Sequence, residues 1–244
     1  MTLLRAALFN LAFYLWTAVM AILAIPCLVL PRGVVVWFME TWSAGVQALM
    51  RWIVGIDVAI TGREHLPSGA CIVASKHQSA FDTLVFHTAV NDPAMVMKRE
   101  LTWIPLYGWY SLHAGMIAVD RAGGAAALKR MIKDARRAKE QGRPIVIFPE
   151  GTRTPPGETR DYQPGVAALY RDLGLPVVPV ALDTGLYWPR RSFRRKPGTM
   201  RIEFLEPIPP GLDRKAFTAE LERRIEARCR ALAAGQDGRA SKLA

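Results

Sequence analysis

Cys71-Ile72-Val73-Ala74-Ser75-Lys76-His77-Gln78-Ser79-Ala80-Phe81-Asp82 is the stretch on which the fold turns. Its first four residues are continuously apolar and β-prone, as a strand buried on both faces should be, and an apolar helical stretch follows Asp82. Strand, polar loop and helix in succession make the repeating unit of an α/β domain, in which polar chemistry gathers at the carboxyl ends of strands. From about Ile56 onward the chain keeps alternating short strand-like runs with longer helical ones. Strands are expected at residues 57–61, 71–74, 94–97, 116–119, 145–148, 177–181 and 200–204. Helices are expected at 125–141, stopped by Gly142, and at 164–172, stopped before Gly174. A third, at 213–233, reads as a charged surface helix ahead of a frayed, Gly-rich tail.

Upstream of this domain, residues 6–25 contain no ionisable side chain, and only Asn10 and Thr17 interrupt the apolar run. A bilayer-spanning helix needs roughly 20 such residues. A core helix and a secretion signal are the competing readings, but Pro26 before Cys27 and the lack of an Ala-x-Ala site speak against cleavage. Beyond Pro31-Arg32-Gly33 a second apolar run at 34–39 continues with Val46, Leu49, Met50, Ile53 and Val54 at helical spacing. One span followed by an amphipathic helix fits this pattern, and so does a hairpin that enters one leaflet and returns. Residues 1–55 are therefore expected to form a membrane-associated helical pair, and residues 56–244 an α/β domain with a mixed sheet flanked by helices.

The chain carries 32 Lys and Arg against 21 Asp and Glu, a formal charge of +11. Arg190, Arg191, Arg194, Arg195 and Lys196 crowd one loop with Trp188 and Phe193, a patch suited to an anionic lipid surface or an acidic partner. Nucleic acid competes on composition alone, but no nucleic-acid motif accompanies the patch and no nucleic-acid partner is expected. Cys27, Cys71 and Cys229 are odd in number and far apart, with neither Cys-x-x-Cys nor a His at ligand spacing. They imply thiols in a reducing compartment, with no metal site and no disulfide framework. The sequence also lacks a Gly-x-Ser-x-Gly elbow, a phosphate loop and a dinucleotide fingerprint, which argues against a serine lipase and against a bound cofactor.

Candidate chemistry begins at His77 and Asp82. On one continuous helix they would lie about 140° apart at roughly 100° per residue, so they meet only if the chain turns between them. The carboxylate can then hold one imidazole nitrogen and leave the other to take a proton from an alcohol. The plainer alternative is a capping arrangement between Ser79 and Asp82. Past a second apolar strand lies Phe148-Pro149-Glu150-Gly151-Thr152-Arg153. There Gly151 permits close backbone approach, Thr152 offers a hydroxyl and Arg153 a fork for phosphate, against the alternative of a tight turn with a surface ion pair. Gly115 through Arg121 places another arginine at a strand end, and Val177-Val178-Pro179-Val180-Ala181 reads, because of its proline, as an edge strand.

The order and spacing of these blocks resemble the glycerolipid acyltransferases, specifically the 1-acylglycerol-3-phosphate acyltransferases. The resemblance covers residues 71–182: His-x-x-x-x-Asp at His77 and Asp82, a Gly…Arg block at Gly115 and Arg121, Phe-Pro-Glu-Gly-Thr-Arg from Phe148 to Arg153, and Val-Pro at Val178 and Pro179. Lys98-Arg99-Glu100-Leu101 and Trp103-Ile104-Pro105 are also family-like. One departure is Lys76, where the family often has Asn. The resemblance implies direct acyl transfer from acyl-CoA or acyl-carrier protein to the sn-2 hydroxyl of lysophosphatidic acid, with His77 as base and Asp82 orienting it. It further implies that Arg121, Arg153 and Lys98 hold the acceptor phosphate, that Glu150 and Gly151 shape the pocket with Thr152, Gly115 and Pro179 nearby, and that membrane phospholipids surround the enzyme. With thioesters made in the cytosol, the domain is expected on the cytoplasmic face of a membrane, as in the bacterial inner membrane. Acylation of another lyso-lipid, such as lyso-ornithine lipid, is the nearest rival, followed by a non-catalytic lipid-binding protein and by hydrolysis.

Overall fold

In the computed structural model, which describes residues 3–240, each of the seven segments expected as a strand forms one. β1 (Ile56–Thr61), β2 (Ile72–Ser75), β3 (Ala94–Lys98), β4 (Ile117–Val119), β5 (Ile145–Ile147), β6 (Val177–Leu182) and β7 (Gly198–Phe204) form one sheet in the order β1-β7-β6-β2-β5-β3-β4. Strands β6, β2, β5, β3 and β4 run parallel, β7 is antiparallel to β6, and β1 is parallel to β7, so the sheet is mixed as expected. Strands β2, β5 and β6 are buried along their whole length, which is why their sequences carry no polar alternation.

Helices cover both faces: α1 (Leu3–Leu23), α2 (Arg32–Leu49), α3 (Phe81–Ala89), α4 (Tyr107–His113), α5 (Gly124–Glu140), α6 (Pro164–Leu173) and α7 (Arg214–Ala240). Val73, Val146 and Val178 point into a core shared with Phe9, Val46, Met50, Phe81 and Phe86, from α1, α2, α3 and the turn after α2. Ile72, Ala74, Ile145 and Val177 point the other way, into a core built with α5, α6 and α7. Successive strand residues thus alternate faces, and each face has its own helical layer.

Two expectations are corrected. β6 is an inner strand between β7 and β2, although it contains Pro179. Between the Val180–Phe204 pair and the Val177–Ile208 bridge, three steps along β6 match four along the segment that continues from the end of β7, so the missing N–H falls at a bulge, where a proline is tolerated. The segment expected as a surface helix, α7, buries Phe217, Leu221, Ile225, Cys229 and Leu232 along one stripe, and its charges occupy the remaining faces. The helix continues to Ala240, and the tail beyond it lies outside the described residues.

The amino-terminal segment is the expected helical pair. The two helices are pinned together by Trp16 Nε1 donating to Trp42 O (3.0 Å) and Trp42 Nε1 donating to Thr17 Oγ1 (3.1 Å). Ser43 Oγ on α2 donates to Leu84 O on α3 at 2.7 Å. Phe9 is fully buried with its ring edge-on to Trp188, whereas Leu4, Leu8, Leu11 and Leu15 stand exposed on the outer side of α1. Helix α1 is long and apolar enough to cross a membrane. Its outward leucines make it apolar all round, a composition suited to lipid on the side that protein does not cover. Replacing Phe9 by Ala is expected to destabilise the detergent-purified protein by about 3–5 kcal/mol, whereas Leu11→Ala shifts it by less than about 0.5 kcal/mol, read from denaturant melts.

Candidate active site

β2 delivers the central residue. Where the strand ends at Ser75 the chain enters a loop through His77, and α3 begins at Phe81 with Asp82 in its first turn. The chain therefore does turn between the two residues, and His77 Nδ1 lies 2.9 Å from Asp82 Oδ2. The same oxygen accepts the backbone N–H of Gln78 (2.6 Å) and of Ser79 (2.8 Å), while Asp82 Oδ1 accepts the hydroxyl of Thr184 at 2.5 Å. Asp82 is fully buried, so these donors supply the solvation that water would otherwise give its charge. Half of the capping alternative is thus realised together with the dyad: the Asp82 carboxylate accepts the Ser79 N–H while it holds the imidazole, and Ser79 Oγ accepts the N–H of Phe81 at 3.2 Å. Facing a carboxylate, Nδ1 carries the ring proton and Nε2 is left as the acceptor.

The ring of His77 stacks on Phe148, with centroids 4.2 Å apart. Its carbonyl accepts the N–H of Thr154 at 2.8 Å, and its own N–H faces Glu150 Oε2 at 3.4 Å. The loop after β5 therefore brackets the histidine. Gly151 turns that loop at a φ of 66°, its N–H donating to Phe148 O, and a Cβ there would press to 3.1 Å from Gln163.

His77 opens into a cavity of about 460 Å³ that is also lined by Lys98, Arg121, Gly151, Thr152, Arg153 and Arg190. Burial lowers the Arg153 guanidinium from its ordinary value, with Asp82 acting in the opposite direction. Lys98 is half exposed and pairs with Glu100 at 3.0 Å. A larger cleft of about 900 Å³, bounded by α5 and α6, shares Arg121, Phe148, Gly151 and Thr152 with this cavity and is also lined by Glu150. On the other side Met39, Ile104 and Tyr107 connect the cavity to a groove of about 240 Å³ between α1, α2 and α4, lined by apolar residues such as Met20, Val35, Phe38 and Trp42.

Two expected site residues stand apart from these spaces. Gly115 lines neither the cavity nor the cleft, and with a φ of 73° it lets Arg143 approach to where a Cβ would lie 2.7 Å from Nη1. Pro179 is buried inside β6. The basic loop also needs correction: Arg195 is buried, its guanidinium 4.4 Å from the Trp188 ring centroid and 4.8 Å from that of Phe9. It fastens α1 to the domain by cation–π contact, which leaves Arg190, Arg191, Arg194 and Lys196 as the exposed basic set.

Sequence reasoning missed Thr184, Lys76, Glu226 and His87 as neighbours of the site. Thr184 had no signal, being an isolated hydroxyl 102 positions from Asp82. Lys76 had one, its departure from the Asn common at that position.

A buried imidazole–carboxylate pair thus stands at the carboxyl end of a parallel strand, beside a cationic cavity and an apolar groove, and an imidazole so held can accept a proton from a hydroxyl. The chain belongs to the acyltransferase family, whose sequence profile it matches over residues 57–183. A 1-acyl-sn-glycerol-3-phosphate acyltransferase of Pseudomonas aeruginosa is 34% identical over 188 residues, 77% of this chain and 73% of that protein. The alpha enzyme of the same name from Homo sapiens is 30% identical over 208 residues, 82% of this chain and 72% of its own. The crystal structure of the 1-acyl-sn-glycerophosphate (LPA) acyltransferase PlsC from Thermotoga maritima shares the fold with a TM-score of 0.79 at 24% identity, covering 95% of this chain and 97% of that one.

His87 lines the same cavity, and burial pushes its imidazole down to about 4 from 6.5. The folded state then binds fewer protons than the unfolded chain between those values, so the stability His87 contributes is present above 6.5 and lost as pH falls through 4. The melting-temperature difference between His87→Gln and wild type should therefore move in the variant's favour as pH drops through this window. A difference independent of pH would contradict a neutral, partly buried His87.

Proposed function

We propose that this acyltransferase forms phosphatidic acid by moving an acyl chain from acyl-CoA or acyl-carrier protein to the sn-2 hydroxyl of 1-acylglycerol-3-phosphate. The observation that carries the reading is His77, held at Nδ1 by Asp82, in one cavity with Arg121 and Arg153. His77 Nε2 takes the hydroxyl proton, and the alkoxide oxygen bonds to the thioester carbonyl carbon. The C–S bond breaks, and the thiolate leaves with the proton that His77 carried. Asp82 keeps the tautomer and stabilises the imidazolium between these steps.

Arg121 and Arg153, with Lys98 and Arg190 at the same rim, supply the charge that a terminal phosphate requires. The adjoining apolar groove between α1, α2 and α4 suits an acyl chain. Phe9, midway along the first half of α1, packs beside Arg195 and Trp188. An upright span would draw that basic loop toward hydrocarbon, which favours helices lying in one leaflet with the domain at its surface. Thioester donors made in the cytosol place that surface on the cytoplasmic side, in a bacterium at the inner membrane.

The acceptor is tested by offering lysophosphatidic acid, lysophosphatidylcholine, lyso-ornithine lipid and monoacylglycerol to the detergent-purified enzyme with each donor. Lysophosphatidic acid should be preferred, and Arg153→Ala should raise its KM by about 10- to 100-fold through loss of a charge-assisted contact. Faster acylation of a lyso-lipid without a terminal phosphate, or an unchanged KM, contradicts this acceptor.

A further inference from the structure

We propose that Lys76 and Glu226 are positioning residues for acyl transfer: with Glu150 they form a buried ionic clamp that ties α7 to the catalytic loop and sets where His77 stands. This rests on His77 being the base. Neighbouring residues at a strand end point to opposite faces. His77 turns toward the substrate cavity, and Lys76 turns to the face covered by α7. There its Nζ donates to Glu150 Oε1 at 2.7 Å, Glu226 Oε1 at 2.8 Å and the Glu158 carbonyl at 3.0 Å, using all three ammonium protons.

The side chains of Lys76 and Glu150 are each 1% exposed and that of Glu226 8%. Burial opposes the Lys76 charge, but the two carboxylates outweigh it and the ammonium is held more firmly than usual. Tyr162 donates its hydroxyl to Glu226 at 3.3 Å, so the carboxylate farthest from the loop is also fixed. The second oxygen of Glu150 faces the His77 N–H. A continuous path therefore runs from α7 through Glu226, Lys76 and Glu150 to the backbone of the base.

An apolar trio of similar volume would hold these elements together at less desolvation cost, so cohesion alone does not call for charges here. What three short, directed hydrogen bonds add is a fixed position for the ammonium and for the loop it holds. Lys76 and Glu226 line neither the cavity that holds His77 nor the adjoining cleft, so exchanging either acts on the reaction through the loop it holds.

The test compares wild type, Lys76→Met, Glu226→Gln and the double variant by steady-state kinetics, with melting curves to establish the folded fraction. Both single variants should lower kcat by about 10- to 100-fold, the cost of a displaced catalytic group, while KM for either substrate stays within about twofold. The double variant should be no slower than the worse single one, because the residues act as one unit. In parallel, diethylpyrocarbonate modification of His77, located by peptide mass spectrometry, should be several-fold faster in each variant.

An unchanged kcat per folded molecule with only a lower melting temperature, or effects that multiply in the double variant, overturns the clamp. If Lys76→Met does not fold, Glu226→Gln alone decides, since it keeps the shape and an acceptor. If wild type makes no phosphatidic acid, the functional reading fails, and the His77 modification rate still judges the clamp: faster in Glu226→Gln supports it, equal rates overturn it.

Discussion

One buried carboxylate organises this molecule. Asp82 gathers the His77 ring, two backbone N–H groups of the loop before it and the Thr184 hydroxyl, and those donors arrive by two routes. His77, Gln78 and Ser79 come from the end of β2, and Thr184 from the segment after β6. The Thr184 bond can form only if β2 and β6 lie side by side with their carboxyl ends together, as the parallel register of Ser75 with Val180 ensures. On the other flank β5 runs parallel to β2 and delivers Phe148 through Arg153 to the same end. The sheet order thus adds a long-range donor to the local ones, and losing it would leave Asp82 Oδ1 buried without the Thr184 hydroxyl.

The helices divide the labour. Those on the α6 and α7 side complete a core and supply Glu226 from behind the loop. Those on the α1 and α2 side build the apolar groove that meets the His77 cavity at Met39. A substrate with a charged head and a long chain requires both environments within one molecule's length. Here they adjoin, with the cationic rim of Arg121, Arg153 and Arg190 on one side of the histidine and the groove on the other. Because Phe9 belongs to the same core as Val73 and Val178, the amino-terminal helices are structurally continuous with the sheet.

Much of the fold was legible because the strands buried on both faces, β2, β5 and β6, write themselves as apolar runs and the edge-side β7 alternates, and all seven lie within a residue or two of their expected limits. The turn between His77 and Asp82 was legible for a geometric reason, since a continuous helix would separate them. Pro179 misled because its missing N–H suggests an edge, and only the pairing of β6 with β7 shows the bulge that accommodates it. Arg195 misled because a local run of arginines reads as a surface, whereas its partner Phe9 lies at the far end of the sequence. The Lys76 contact with Glu226 spans 150 positions, and within α7 that glutamate looks like any other charge on an exposed helix. Long-range pairing of polar groups leaves no periodic trace in one sequence, while apolar burial does.

The central claim is that His77 removes the proton from the acceptor hydroxyl. It is tested most directly by phosphatidic acid formation from lysophosphatidic acid by wild type and by a demonstrably folded His77→Ala, with acyl-CoA and separately with acyl-carrier protein. The account predicts robust turnover by wild type with at least one donor and a loss of about 100- to 10,000-fold in the variant, the usual worth of a positioned base. An undiminished rate from folded His77→Ala would remove the mechanism.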